Sequence, residues 1–290
     1  ASLVAVVRRK MPFQRARAAV YDRAPMRRDF VTRDGVRISY RVIGAGSRDV
    51  FLIHGWMMSG AVYDDMIAAL DQEGLRLVVL DQRGTGASDR PERGYGISDY
   101  AADVLAVADA LESRSFVLIG HSMGGLIAQW IASTAPERVR AQILLCPVPA
   151  SGIPLPADAQ ALFRGSAQNR HLQQTILGLA CKQLSASSLE RLLDDSVTVA
   201  PQCIEQAFDA WTAGGFADKL AAITAPTLVV GTDDPFLPPA FLRQAVVNPI
   251  RGARLAMLPG PGHYVQAERP RETAAIIEAF VAGLGHPERT

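Results

Sequence analysis

Ser122 stands at the centre of Gly120-His121-Ser122-Met123-Gly124, directly after the apolar run Phe116–Ile119 and ahead of the helix-like run Gly124–Ser133. Strand, tight turn and helix form the setting in which G-x-S-x-G presents a nucleophile. Such a turn forces its central residue into a strained backbone conformation. Small residues two positions before and after it keep neighbouring backbone from clashing. The hydroxyl is thereby pushed out at the carboxyl end of the strand. The helix start and the free N–H of Met123 favour negative charge beside it. A turn that merely happens to contain glycine and serine is the competing explanation, and the flanking strand and helix argue against it.

A serine hydroxyl attacks poorly unless a base takes its proton. Of the five histidines, His263 follows the last strand-like run in the loop Leu258-Pro-Gly-Pro-Gly-His-Tyr264. Loops at the carboxyl ends of strands gather at one edge of an open α/β sheet, so His263 can meet Ser122 despite the separation in sequence. His121 adjoins the serine but is expected to pack against the sheet, while His171 falls in a helical insertion and His286 in a polar tail. The imidazole needs an acid to fix its tautomer. Val229-Val230-Gly231-Thr232-Asp233-Asp234-Pro235 puts two carboxylates just past a buried strand. Asp234 is favoured, because Asp233 lies nearer the strand end and can bond loop N–H groups instead. A second oxyanion donor must come from another loop. Phe51-Leu-Ile-His-Gly-Trp56 ends a buried strand with His-Gly, and the backbone N–H of Trp56 is the candidate to pair with that of Met123.

The elements that must carry these residues alternate. Val36–Val42, Val50–Ile53, Leu75–Leu80, Phe116–Ile119, Ile143–Leu145, Leu228–Val230 and Leu255–Leu258 read as strands. Ala61–Leu70, Asp99–Leu111 (with Ser98 as its cap), Gly124–Ser133 and Thr273–Leu284 read as helices. This alternation predicts an α/β fold with a doubly wound, mostly parallel sheet. Residues 148–215 interrupt it. They open with Pro149, Pro154 and Pro156 and continue with helix-like runs at Ala157–Phe163, Leu172–Leu184, Ser188–Leu193 and Ile204–Trp211. The expected organisation is a core over residues 29–147 and 216–290, with a helical cap at 148–215 inserted after the sixth strand.

Composition narrows the function classes. The 290 residues are 49% hydrophobic and 20% charged, with a formal net charge of +1, which gives no overall pull toward nucleic acid or membrane. No apolar run approaches the roughly 18 residues that span a bilayer. Residues 1–28 hold eight basic side chains against the single acid Asp22, a net +7 that leaves −6 for the remainder. This basic extension reads either as a poorly ordered arm or as a contact with a partner subunit in a homodimer; a mistaken start upstream of Met26 is a third explanation. Ala1–Val7 is apolar but too short for a secretory signal core. Cys146, Cys181 and Cys203 show neither disulfide nor zinc spacing, so the expectation is a cytoplasmic protein with no metal or organic cofactor.

Four motifs, His54-Gly55-Trp56, Asp81-Gln-Arg-Gly-Thr-Gly-Ala-Ser88, Gly120-His-Ser-Met-Gly-Gly125, and Gly231-Thr-Asp-Asp-Pro-Phe-Leu-Pro238 with Gly262-His263, resemble the α/β-hydrolase superfamily in order and spacing over residues 29–285. The resemblance implies an acid three residues after a strand-end glycine and four before a proline, which is Asp234. It implies a structural role for Asp81 and Arg83. A serine at the elbow argues against the aspartate-nucleophile members. The activity expected is that of a serine carboxylesterase; no arginine or lysine stands out as a carboxylate clamp, so a small, neutral, moderately apolar ester is the expected substrate, with lactonase, carbon–carbon bond hydrolase and cofactor-free perhydrolase chemistry as alternatives on the same triad. A ligand-binding receptor on the same fold is the non-enzymatic alternative. Met57, Pro147, Phe163, Trp211, Phe236 and Tyr264, with the Trp56 and Met123 side chains, are the expected pocket wall.

Overall fold

The computed structural model describes residues 27–285. The expectations for residues 1–26, including the partner-subunit contact, lie outside the described residues. Arg27 and Arg28, counted above with the basic extension, instead open a strand, β1 (Arg27–Arg33). It forms an antiparallel hairpin with β2 (Val36–Ile43). The turn is Asp34-Gly35, with φ of 51° and 78°. A two-residue turn with both centres left-handed matches strand twist, and Asp-Gly suits it. The sequence hides β1 because it lies at the sheet edge, where charged side chains discourage pairing with another chain. Arg28 reaches inward to Asp81 and Ser39, both at 3.1 Å.

The chain continues through β3 (Arg48–Ile53), α1 (Asp64–Ala69), β4 (Leu75–Asp81), α2 (Ile97–Ala110), β5 (Phe116–His121), α3 (Met123–Thr134) and β6 (Val139–Leu145). Four helices follow without an intervening strand: α4 (Ala157–Arg164), α5 (Arg170–Ala180), α6 (Ala186–Ser196) and α7 (Pro201–Ala213). The sheet resumes with β7 (Thr227–Gly231), then α8 (Pro239–Leu242), β8 (Arg254–Met257), α9 (Val265–Glu268) and α10 (Pro270–Ala282). With β1 counted, the helical insertion does follow the sixth strand. The N-cap of α2 is Gly96, whose N–H donates to the Asp99 carboxylate at 3.0 Å; Ser98 lies inside the first turn.

The eight strands form one sheet in the order β1-β2-β4-β3-β5-β6-β7-β8, parallel from β4 to β8. Every residue of β5 is buried, as expected of a central strand covered on both faces. From β3 the chain first steps outward to β4, then crosses back to β5 and proceeds the other way. The order therefore reverses between β3 and β5, and ligands of open α/β sheets bind at the carboxyl ends beside such a reversal. Ser122 follows β5, the His54-Gly55-Trp56 loop follows β3, and Asp234 and His263 follow the neighbouring strands β7 and β8. No helix among the described residues is long and apolar enough to cross a membrane.

Candidate active site

Ser122 has φ 54° and ψ −118°, a conformation that L-residues rarely adopt. Two glycines make the turn possible. A Cβ on Gly120 would lie 2.4 Å from the Gly124 carbonyl oxygen, and one on Gly124 would lie 2.0 Å from that of Ile53 in β3. Main-chain bonds hold the strained residue in place: its N–H donates to Leu145 at 3.0 Å, and its carbonyl accepts from Gly125, Leu126 and Val148. Within α3 the first N–H groups with a helical acceptor are therefore those of Gly125 and Leu126. The N–H of Met123 lies in the first turn, where helix geometry supplies no partner, so it is available to an anion beside the serine.

Asp234 and His263 meet. Nδ1 of His263 is 2.6 Å from Oδ2 of Asp234, and Oδ1 accepts the N–H of Phe236 at 2.8 Å. The carboxylate is fully enclosed, and a proton on Nδ1 facing it leaves Nε2 as the acceptor. Asp233 turns to the loop, accepting from Gly260 at 2.9 Å. His121 is buried and spends its Nε2–H on the His263 carbonyl at 3.0 Å. Burial, then the neighbouring His263, holds its pKa well below the ordinary imidazole value.

The loop after β3 is shaped by His54. Its Nδ1–H donates to the Gly55 carbonyl at 2.8 Å while Nε2 accepts the N–H of Gln82 at 3.0 Å. Burial lowers the His54 pKa, which keeps the ring neutral in this role. Two ties to the helical insertion fix the far side of the loop. The indole N–H of Trp56 donates to the Ile204 carbonyl in α7 at 2.9 Å, and Asp195 of α6 accepts the N–H and the hydroxyl of Ser59, both at 2.7 Å. Asp81 and Arg83 brace the adjacent loops: Asp81 accepts the N–H groups of Gly60 and Ala87, and Arg83 makes a buried bidentate pair with Asp103.

Ser122 and His263 open onto one cavity, part of it continuous with solvent. Of the predicted wall, Phe163, Trp211, Phe236, Tyr264 and Trp56 line it. Met57 and Pro147 do not, and neither does the Met123 side chain. Met57 is buried in the core at φ 66°, and Pro147 packs against Gly125, where an added Cβ would meet it at 2.6 Å. Sequence reasoning missed Ile153, Leu155, Ile176 and Ala180, which also line the cavity. Ile176 and Ala180 carried a usable signal, the i, i+4 spacing of one helix face. Ile153 and Leu155 lie in the proline-rich stretch before α4, which has no periodicity to read. Cys146, Asp234 and His263 bring one ligand atom each within 4.8 Å of one another. Burial drives the Cys146 thiol well above its ordinary pKa, which opposes a thiolate ligand, and Asp234 is already engaged.

The sequence model of the alpha/beta hydrolase family matches residues 50–276. The chain belongs to the alpha/beta hydrolase family. Among its relatives, a non-heme haloperoxidase of Rhodococcus erythropolis is 31% identical over 81% of this chain and 92% of that protein. A non-heme chloroperoxidase of Streptomyces lividans is 30% identical over 86% and 98%. Among solved structures, an N-acyl homoserine lactone degrading enzyme superposes on this hydrolase with a TM-score of 0.75 at 29% identity, over 87% of this chain and all (100%) of that one.

Proposed function

We propose that this hydrolase cleaves small, neutral, apolar carboxylic esters through an acyl-enzyme, with Ser122 as nucleophile, His263 as base and Asp234 orienting it. Nε2 of His263 takes the hydroxyl proton as Oγ of Ser122 bonds to the carbonyl carbon. The tetrahedral oxyanion lies against the N–H groups of Trp56 and Met123. Its collapse breaks the bond to the alkoxy group, which leaves with the proton held by His263. Water, deprotonated by the same nitrogen, then attacks the acyl carbon; the acid departs and Ser122 regains its hydrogen. The observation that carries this reading is the 2.6 Å contact of His263 Nδ1 with an enclosed Asp234, on a ring that shares one cavity with Ser122. Apart from those two residues the cavity lining is almost wholly apolar, which suits a neutral acyl group.

The test is multiple turnover of chromogenic esters graded in acyl length, with Ser122→Ala as the control. Rapid turnover lost in the variant supports the reading. A single stoichiometric release with strong ligand-induced stabilisation would instead indicate a receptor.

A second reading draws on the haloperoxidase relatives: hydrogen peroxide replaces water at the acyl-enzyme, giving a peracid and free Ser122. Acid released with or without peroxide favours the first reading; peracid formed at the expense of acid favours the second. The N-acyl homoserine lactone degrading enzyme places lactones on the same substrate panel, where ring opening follows the same steps with the leaving oxygen still tethered.

A further inference from the structure

Glu268 ends α9, five residues beyond His263 in sequence, and its carboxylate is buried. Oε2 accepts the N–H groups of Lys182 and Gln183 at 2.8 and 2.7 Å. Oε1 accepts that of Tyr264 at 3.2 Å, and the N–H of Gly262 lies 3.1 and 3.0 Å from the two oxygens. Two of these donors flank His263 on either side. The other two begin the turn that leaves α5. The N–H of His263 itself donates to the carbonyl of Ala180, the last residue of α5, at 2.9 Å. The approach is so close that a Cβ on Gly262 would lie 2.1 Å from that same oxygen. Charge-assisted bonds of this kind are about twice as strong as neutral ones, and a buried carboxylate stripped of them is costly.

We propose that Glu268 is a positioning residue that sets the backbone of His263 and locks it to the end of α5. The inference rests on the reading of His263 as the base. Its functional content is a coupling. Ile176 and Ala180 of α5 line the cavity, so the helix that contacts the acyl group also fixes the imidazole. An acyl group that pushes α5 outward displaces His263 with it and loses rate more than affinity. No step of the reaction passes through Glu268.

Glu268→Gln tests this, because the amide keeps the shape but turns one acceptor oxygen into a donor facing main-chain N–H groups. The expected result is a fall in kcat of about 10²-fold, the scale of a 1 Å misplacement of a reacting group, with KM little changed. A second readout needs no substrate: the proton between His263 Nδ1 and Asp234, followed by NMR in protein carrying Ser122→Ala, is expected to shift and broaden when Glu268→Gln is added. Glu268→Asp, which keeps the charge, is expected to restore part of both signals. Lys182→Pro probes the bond from the other side, removing one donor. Cys181, at φ −98° and ψ 146°, already has the extended backbone that precedes proline. It should move both readouts in the same direction by less, and it decides the matter if Glu268→Gln does not fold. A folded Glu268→Gln with wild-type kcat, or one that loses kcat while the resonance stays put, overturns the proposal, as does a Lys182→Pro that changes neither. If the wild type turns over no ester yet the resonance responds, the proposed reaction falls and the positioning stands.

Discussion

The strain at Ser122 and the pairing of Asp234 with His263 each make a claim that a single side-chain change can test. A residue held at φ 54° and ψ −118° costs on the order of 1–3 kcal/mol, and glycine escapes most of it whereas alanine does not. Both Ser122→Ala and Ser122→Gly are expected to abolish ester turnover. Only the glycine variant is expected to melt above the wild type, as thermal unfolding followed by circular dichroism would record. At the acid, Asp234→Asn places an amide against His263 Nδ1 and favours the wrong tautomer; the expected loss in kcat is about 10⁴-fold by analogy with the same change in other triads. Asp233→Asn alters a carboxylate that accepts from the Gly260 N–H and makes no contact with His263 among the hydrogen bonds of the described residues, and it is expected to leave kcat close to wild type. Steady-state kinetics on one chromogenic ester ranks them, and a larger loss at Asp233 would reverse the roles given to the two carboxylates.

At the scale of elements, the turn between β5 and α3 is pressed against β3. Gly124→Ala would drive a Cβ to 2.0 Å from the Ile53 carbonyl oxygen, with backbone on both sides of the clash. The expected cost is at or beyond the upper end of the roughly 1–3 kcal/mol of ordinary overpacking, measured as a lowered urea midpoint. This turn was legible in the sequence because its signal is local: an apolar strand, Gly-x-Ser-x-Gly, then a helix. Asp234 and His263 were legible because each follows a strand within a few residues, and a parallel sheet delivers such loops to one edge. What depended on distant contacts was not. The start of β1, Arg27 and Arg28, looked like part of a charged arm because its pairing with β2, not its composition, makes it a strand. The helical pattern of α5 ran on to Leu184, but the helix stops at Ala180 because Lys182 and Gln183 turn to Glu268, far along the chain. Met57 was placed in the pocket because it adjoins Trp56 in sequence, and Pro147 because it follows the strand-like run Ile143–Leu145, whereas local backbone sends them to the core and to Gly125.

For the whole molecule, two buried histidines tie stability to acid. His54 and His121 both have pKa values lowered by burial from an ordinary 6.5, so the unfolded chain binds protons that the folded chain refuses. The stabilisation is complete above the unfolded value and is lost as pH falls below it toward the depressed folded values. The expected slope is up to about 1.4 kcal/mol per pH unit for each histidine. Urea unfolding between pH 7.5 and 5 would record it as about a doubled slope relative to a folded variant with one of the two replaced. Loops after β3, β5, β7 and β8 bring Trp56, Ser122, Phe236 and His263 onto one cavity that residues of α4, α5 and α7 also line, and Ser122 is the proposed centre of its chemistry. Treatment with an alkyl phosphonate carrying a chromogenic leaving group, followed by peptide mass analysis, tests that centre most directly. One adduct per chain, on Ser122, formed in step with loss of ester turnover and much slower in His263→Ala, is the predicted result. Turnover that survives full labelling, or an adduct carried by another residue as activity is lost, would contradict the account.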